Sequence, residues 1–150
     1  MIVSIADRPD LAPLVAAWLL AEFGHPGSSP LDVATARVAA RIAPVGPEQC
    51  FVLLHNGVPA GTATLQHHDL DLRSELTPWL AGVYVDPPFR GRGIATALVT
   101  RVVDAARAAS IATLWLYTWS AADLYRRLGW VASETLQHRG RPVTVMRLDM

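Results

Sequence analysis

Two glycines and two arginines, in the run Arg90-Gly91-Arg92-Gly93, separate an apolar stretch ending Val83-Tyr84-Val85 from an amphipathic one beginning Ile94-Ala95-Thr96. A strand that turns sharply into a helix through glycines can aim consecutive backbone N–H groups at a ligand with no Cβ in the way. The helix dipole adds its positive end, so the segment suits an anion such as a phosphate. Arg90 and Arg92 add charge at the rim, and the Thr96 hydroxyl lies one turn into the helix. The spacing is neither G-x-G-x-x-G nor G-x-x-x-x-G-K-[ST], so dinucleotide and Walker-type nucleotide sites lose support. A plain structural connection is the bland alternative for the same residues.

Other reactive side chains narrow the chemistry. All 13 basic residues are Arg, which leaves no lysine for a Schiff base or a phosphate loop. They balance 13 acidic residues, and a neutral chain with no concentrated basic face is not expected to bind nucleic acid. Cys50, the only cysteine, opens the apolar run Cys50-Phe51-Val52-Leu53-Leu54 and reads as a buried small hydrophobe. His25, His55, His67, His68 and His138 show no metal-ligand spacing, and no metal is expected.

The elements that must position the glycine turn follow from periodicity. With 150 residues, 51% of them hydrophobic and 17% charged, the chain predicts one folded domain over 1–150. Residues 1–6 read as a strand, 10–23 as an Ala- and Leu-rich helix and 29–43 as a second helix beyond a Gly/Pro turn. Strands over 51–55 and 58–67 flank Asn56-Gly57, a strong hairpin signal. A polar loop over 67–75 precedes a strand over 79–85. The pattern then predicts a helix over 93–109, a strand over 111–118, a short helix over 121–128, and strands over 130–138 and 143–148 around Gly140. This order predicts an α/β (mixed α+β) fold, a central twisted mixed sheet with helices on both faces. The N-terminus lacks a signal-peptide pattern and no apolar run approaches membrane length, so a cytoplasmic protein without membrane contact is expected.

Taken together, the motifs resemble the Gcn5-related N-acetyltransferase (GNAT) superfamily. Its cofactor motif, R/Q-x-x-G-x-G/A, is matched by Arg90, Gly93 and Ala95. The preceding hydrophobic-x-Val-x-Pro is matched by Val83, Val85 and Pro87, and a later Ala-x-x-x-Tyr followed by a Gly-aromatic pair by Ala121, Tyr125, Gly129 and Trp130. The resemblance covers the whole chain in order and is most specific over 83–130.

It implies a GNAT-like acyl-CoA N-acyltransferase fold with acetyl-CoA as cosubstrate, lying between the strands at 80–85 and 111–118. The implied contacts are backbone at Val83, Tyr84 and Val85 for the amide-rich pantetheine arm, and Arg90, Gly91, Arg92, Gly93, Ile94, Ala95 and Thr96 for the pyrophosphate. Tyr125 stands at the family's position for the acid that protonates the departing thiolate, with a half-buried packing aromatic as its alternative. The family often places a Glu where this chain has Trp79 or Ala81, and Asn where it has Thr118. Thr118 or Ser120 can substitute for that Asn or simply cap the next helix. For the general base, Glu75 is the first choice, with His67, His68, Asp69 or water also open.

The first two helices and the 67–79 loop are expected to form the acceptor pocket, with Trp18, Glu22, Phe23, Asp69, Asp71, Arg73, Glu75 and Trp79 as determinants; Trp18 and Trp79 equally suit the core. The resemblance implies acetyl transfer to an amine, and the acidic, histidine-rich loop together with the absence of a strong basic docking face favours a small-molecule primary amine. A protein or peptide amino group is the alternative acceptor, followed by a noncatalytic acyl-CoA-binding module. A homodimer is compatible with the sequence.

Overall fold

The computed structural model describes residues 1–150. Strand β1 (Ile2–Ser4) leads through a single 3-10 turn, Pro9–Leu11, into α1 (Ala12–Phe23) and α2 (Leu31–Ala39). Strands β2 (Gln49–His55), β3 (Val58–Gln66) and β4 (Trp79–Val85) precede α3 (Ile94–Ala108), β5 (Thr113–Thr118), α4 (Ala122–Arg127), β6 (Val131–His138) and β7 (Arg141–Asp149). The expected order of elements holds throughout. Both tight hairpins are built on left-handed pairs, Asn56 and Gly57 at φ 50° and 80°, and Arg139 and Gly140 at φ 50° and 79°.

One seven-stranded sheet runs β1-β2-β3-β4-β5-β7-β6. Every neighbouring pair is antiparallel except β4 and β5, which α3 joins as a parallel crossover. Strand alternation sends Phe51 to the face covered by α3, where it packs with Leu65, Leu98 and Leu114, and sends Cys50 and Val52 to the face covered by α1 and α2, with Val15 and Val38. Helices therefore flank both faces, as expected. A third cluster, Leu70, Trp79 and Val145, is covered by the segment between β3 and β4.

Helix α3 is held by its stripe. Leu98, Val99 and Val102 are at most 1% exposed, and each such side chain contributes roughly 1.5–3 kcal/mol. That burial far exceeds the strain of a left-handed residue at the helix entrance, so the glycine turn need not contribute to packing.

Two departures from the sequence expectation matter for the site. The segment expected as helix to 43 stops at Ala39, because Ile42 leaves to form a bridge with Gln49 beside β2. Arg41 is thereby released from the helix. In β4, the register with β3 shifts between Thr62↔Tyr84 and Thr64↔Ala81, a bulge that Gly82 accommodates at φ 59°.

Candidate active site

The glycine turn leaves open space in front of the uncapped start of α3. The Asp86 N–H donates to Ala60 O at 2.8 Å and ends β4, after which the Pro87–Phe89 turn swings the chain round. Arg90 Nε donates back to Val85 O at 3.0 Å, locking the end of the strand. Gly91 and Gly93 take φ 79° and 74°, and a Cβ on either would meet nothing within 4 Å. The space above both is open, which is what close approach of a ligand needs. Gly93 caps α3 without a side-chain hydrogen bond, so the first-turn N–H groups of Ile94, Ala95 and Thr96 have neither a helix carbonyl nor a capping oxygen. Orphan donors and the helix dipole point the same way. Arg92 reaches His55 instead, with Nη1 3.4 Å from Nε2.

Beside this turn, β4 and β5 part. Their ladder pairs only Trp79 with Trp115, supported by the Trp115 N–H donating to Pro78 O at 3.1 Å. Beyond that point the β5-side edge of β4 has no strand partner, and the bulge at Gly82 bends it further. A cavity of about 280 Å³ occupies the gap, with Gly82, Val83, Thr118 and Tyr125 in its wall. The Val83 and Val85 side chains pack with the α3 cluster, while Tyr84 turns to the other face against Trp18, ring centroids 5.3 Å apart, and donates to Asp86 Oδ1 at 3.2 Å. These three side chains are thus committed to packing, and the strand offers the cavity its backbone.

Tyr125 is 6% exposed and meets Trp130 edge-on at 6.1 Å. Burial alone pushes its hydroxyl up to about 12, so it keeps its proton at any physiological pH. Thr118 takes the capping alternative: its Oγ1 accepts from the Ala121 N–H at 3.0 Å and the Ser120 N–H at 3.3 Å, and this positions the start of α4. Its own O–H remains free to donate into the cavity.

The acceptor side differs more from the sequence expectation. Glu22 and Phe23 of α1 line the cavity, as does Asp69. Phe23 packs edge-on against Trp119 at 5.6 Å, so α1 and the β5–α4 turn meet beside it. Trp18 and Trp79, 8% and 0% exposed, belong to the core, and Trp79 Nε1 donates to Leu76 O at 2.7 Å. Glu75 is exposed and does not line the cavity. Arg73 is tied to Glu134 through both carboxylate oxygens, while Asp71, His67 and His68 are exposed and also off the cavity.

Cys50 is fully buried, and desolvation pushes its thiol up, as suits an inert hydrophobe. No group of three His, Cys, Asp or Glu side chains could hold a metal ion, and no helix is long and apolar enough to cross a membrane.

Several wall residues escaped the sequence reading, among them Leu19, Arg41, Gly82, Tyr117 and Trp119. Gly82 had a usable signal, since an isolated glycine inside a strand pattern points to a bulge. Arg41 had none, because its position depends on where α2 ends.

A strand-to-helix glycine turn followed by a parallel crossover, with the two strands parting after one ladder pair, is the arrangement that the family comparison identifies. The Acetyltransferase (GNAT) family model matches residues 14–130, and the chain belongs to that family. It is 33% identical over 96 residues to N-alpha-acetyltransferase MAK3 of Arabidopsis thaliana, a match covering 61% of this chain and 50% of that protein. The chain spans about half the length or less of the curated relatives it matches, 50% and 41%.

Among solved structures, an N-acetyltransferase from Staphylococcus aureus aligns with TM-score 0.75 and 22% identity over 99% of this chain and 97% of that one. Arabidopsis thaliana Naa50, solved with the bisubstrate analogue CoA-Ac-MVNAL, aligns with TM-score 0.70 and 16% identity over 100% and 98%. These likenesses establish the fold.

Proposed function

We propose that the protein is an acetyl-CoA-dependent N-acetyltransferase whose acceptor is a primary amine of a small molecule. The observation that carries this reading is the parting of β4 and β5 after a single ladder pair, which opens a cavity lined by Tyr125 beside the glycine cradle. The pyrophosphate would rest on the N–H groups following Gly93, and the pantetheine arm would bond to the free edge of β4 like an added strand.

The acceptor amine attacks the thioester carbonyl carbon directly. A backbone N–H near Val83 or Val85 stabilises the developing oxyanion, a contribution that rigid donors make without reorganising. As the C–S bond breaks, the Tyr125 hydroxyl gives its proton to the sulfur and is reprotonated by the nitrogen that has formed the amide. Holding amine and thioester in one cavity replaces a bimolecular encounter by an oriented one. The modest size of the cavity and the Phe23–Trp119 contact beside it favour a small acceptor.

The similarity to an N-alpha-acetyltransferase favours a second reading, a protein or peptide N-terminus as acceptor. A screen of acetyl-CoA consumption over amines and peptides, with products identified by mass, separates the two. Transfer to small amines supports the first reading, transfer only to N-terminal peptides the second. Acetyl-CoA binding without transfer to anything refutes both.

A further inference from the structure

Two carboxylates stand in the cavity wall, Glu22 and Asp69, and that mechanism uses neither. We infer that Asp69 receives the acceptor's ammonium group and takes its proton before attack, an assignment that rests on the acetyl-transfer reading above.

Geometry singles out this residue. It sits at the start of the segment that folds from β3 over the β5 face, and its neighbour Leu70, 1% exposed against Trp79 and Val145, anchors the backbone there. Of the two carboxylates lining the cavity, Glu22 is exposed and Asp69 is half-buried. Asp69 is short of donors: its one protein hydrogen bond is a long one, 3.5 Å from Gln66 Nε2, whose better contact is His68 O at 2.6 Å. No ion pair within 4.0 Å includes it. An ammonium group carries three N–H donors and supplies what this carboxylate lacks.

The titratable groups facing Asp69 come from four places: the charges of Arg41 beyond α2, Arg139 from the β6–β7 turn and Asp71 two residues on, and the neutral hydroxyl of Tyr117 from β5. Arg41 has a carboxylate partner elsewhere, Glu48 at 3.7 Å. Desolvation outweighs the two arginines and raises the Asp69 carboxyl to about 7. That value suits a base at neutral pH, because a base is most effective when its affinity for protons matches the working pH.

A free primary amine has a pKa near ~10, so an ordinary carboxylate near ~4 is a poor proton acceptor for it. Raising the carboxyl by three units increases the equilibrium constant for proton transfer from the ammonium to the carboxylate roughly a thousandfold. The proton balance is complete. R–NH3⁺ and the carboxylate become R–NH2 and the carboxylic acid, and the nitrogen lone pair forms the C–N bond while C–S breaks. The thiolate takes the Tyr125 proton, the amide nitrogen restores it, and Asp69 returns its own to solvent.

The experiment compares the pH profile of kcat/KM for the amine found by the screen in the wild type and Asp69→Asn, with acetyl-CoA affinity measured by calorimetry. At neutral pH the variant is expected to lose about 10²–10⁴ in kcat/KM. The deficit should shrink as pH approaches the amine's own pKa, where solvent supplies the free base, and acetyl-CoA affinity should not change. A deficit that is the same at every pH, or a loss of acetyl-CoA affinity, overturns the assignment and leaves acetyl transfer standing.

Wild-type protein that transfers to no acceptor refutes the acetyl-transfer reading, and this inference with it. If Asp69→Asn does not fold, carboxyl NMR of wild-type protein labelled at aspartate decides. An Asp69 midpoint near 7 that moves on adding the amine supports the role, and an ordinary midpoint indifferent to the amine overturns it.

Discussion

A carboxyl whose pKa is raised by burial leaves a mark on stability that can be measured without any substrate. Asp69 has a folded-state pKa of about 7 against a reference value of 3.8, so between those values the native state binds more protons than the unfolded chain. Stability due to this group is therefore greatest at low pH and falls as pH rises from about 4 to about 7, after which it is constant. The full shift, about three units at 1.36 kcal/mol each, sets an upper bound of roughly 4 kcal/mol. Between pH 5 and pH 8 the same two values give a loss of roughly 2–3 kcal/mol.

Asparagine is nearly isosteric and cannot ionise, so Asp69→Asn should lack this component while every other titrating group, including His138, stays common to both proteins. Urea unfolding of both at pH 5 and pH 8 isolates it. The variant should gain on the wild type by up to roughly 2–3 kcal/mol on going from the lower pH to the higher. Identical pH dependence in the two proteins would show that the carboxyl titrates normally, and the desolvation argument would fall.

Three further substitutions test the rest of the site. Tyr125→Phe keeps the ring and deletes the proton donor, so kcat/KM should fall about 10²–10³ with acetyl-CoA affinity unchanged; near wild-type turnover when chemistry limits the rate would assign Tyr125 to packing. Gly93→Val places a branched side chain at φ 74° over the open cradle and should weaken acetyl-CoA binding by about tenfold or more, and calorimetry showing unchanged affinity in folded protein would refute the placement. At Gly61 a Cβ would lie 2.7 Å from Tyr84 O and 3.1 Å from Leu98 Cδ1, so Gly61→Ala must push β3 from β4 or α3. A loss of about 1–3 kcal/mol is expected in urea unfolding, and an unchanged midpoint would mean that the strands yield freely there.

Much of this protein was legible from local patterns. Apolar periodicity marked every strand and helix in order, because a helix stripe or a strand alternation is decided by residues a few positions apart. The glycine turn was legible for the same reason: left-handed φ at Gly91 and Gly93 is a property that few other residues tolerate, and Arg90, Gly93 and Ala95 stood in a spacing that resembles a known family.

Tertiary structure alone decided which residues share the cavity. Trp18 and Trp79 suited the acceptor pocket or the core equally well by sequence, and only the packing against Tyr84 and beneath Leu76 assigned them to the core. Glu75 and Asp69 are carboxylates of one polar loop, and nothing near them in sequence says that the first is exposed while the second lines the cavity. The protonation of Asp69 depends on its burial and on the opposing charges of Arg41 and Arg139, which arrive from two distant parts of the chain. Desolvation is a sum over everything nearby in space, so no local pattern carries it.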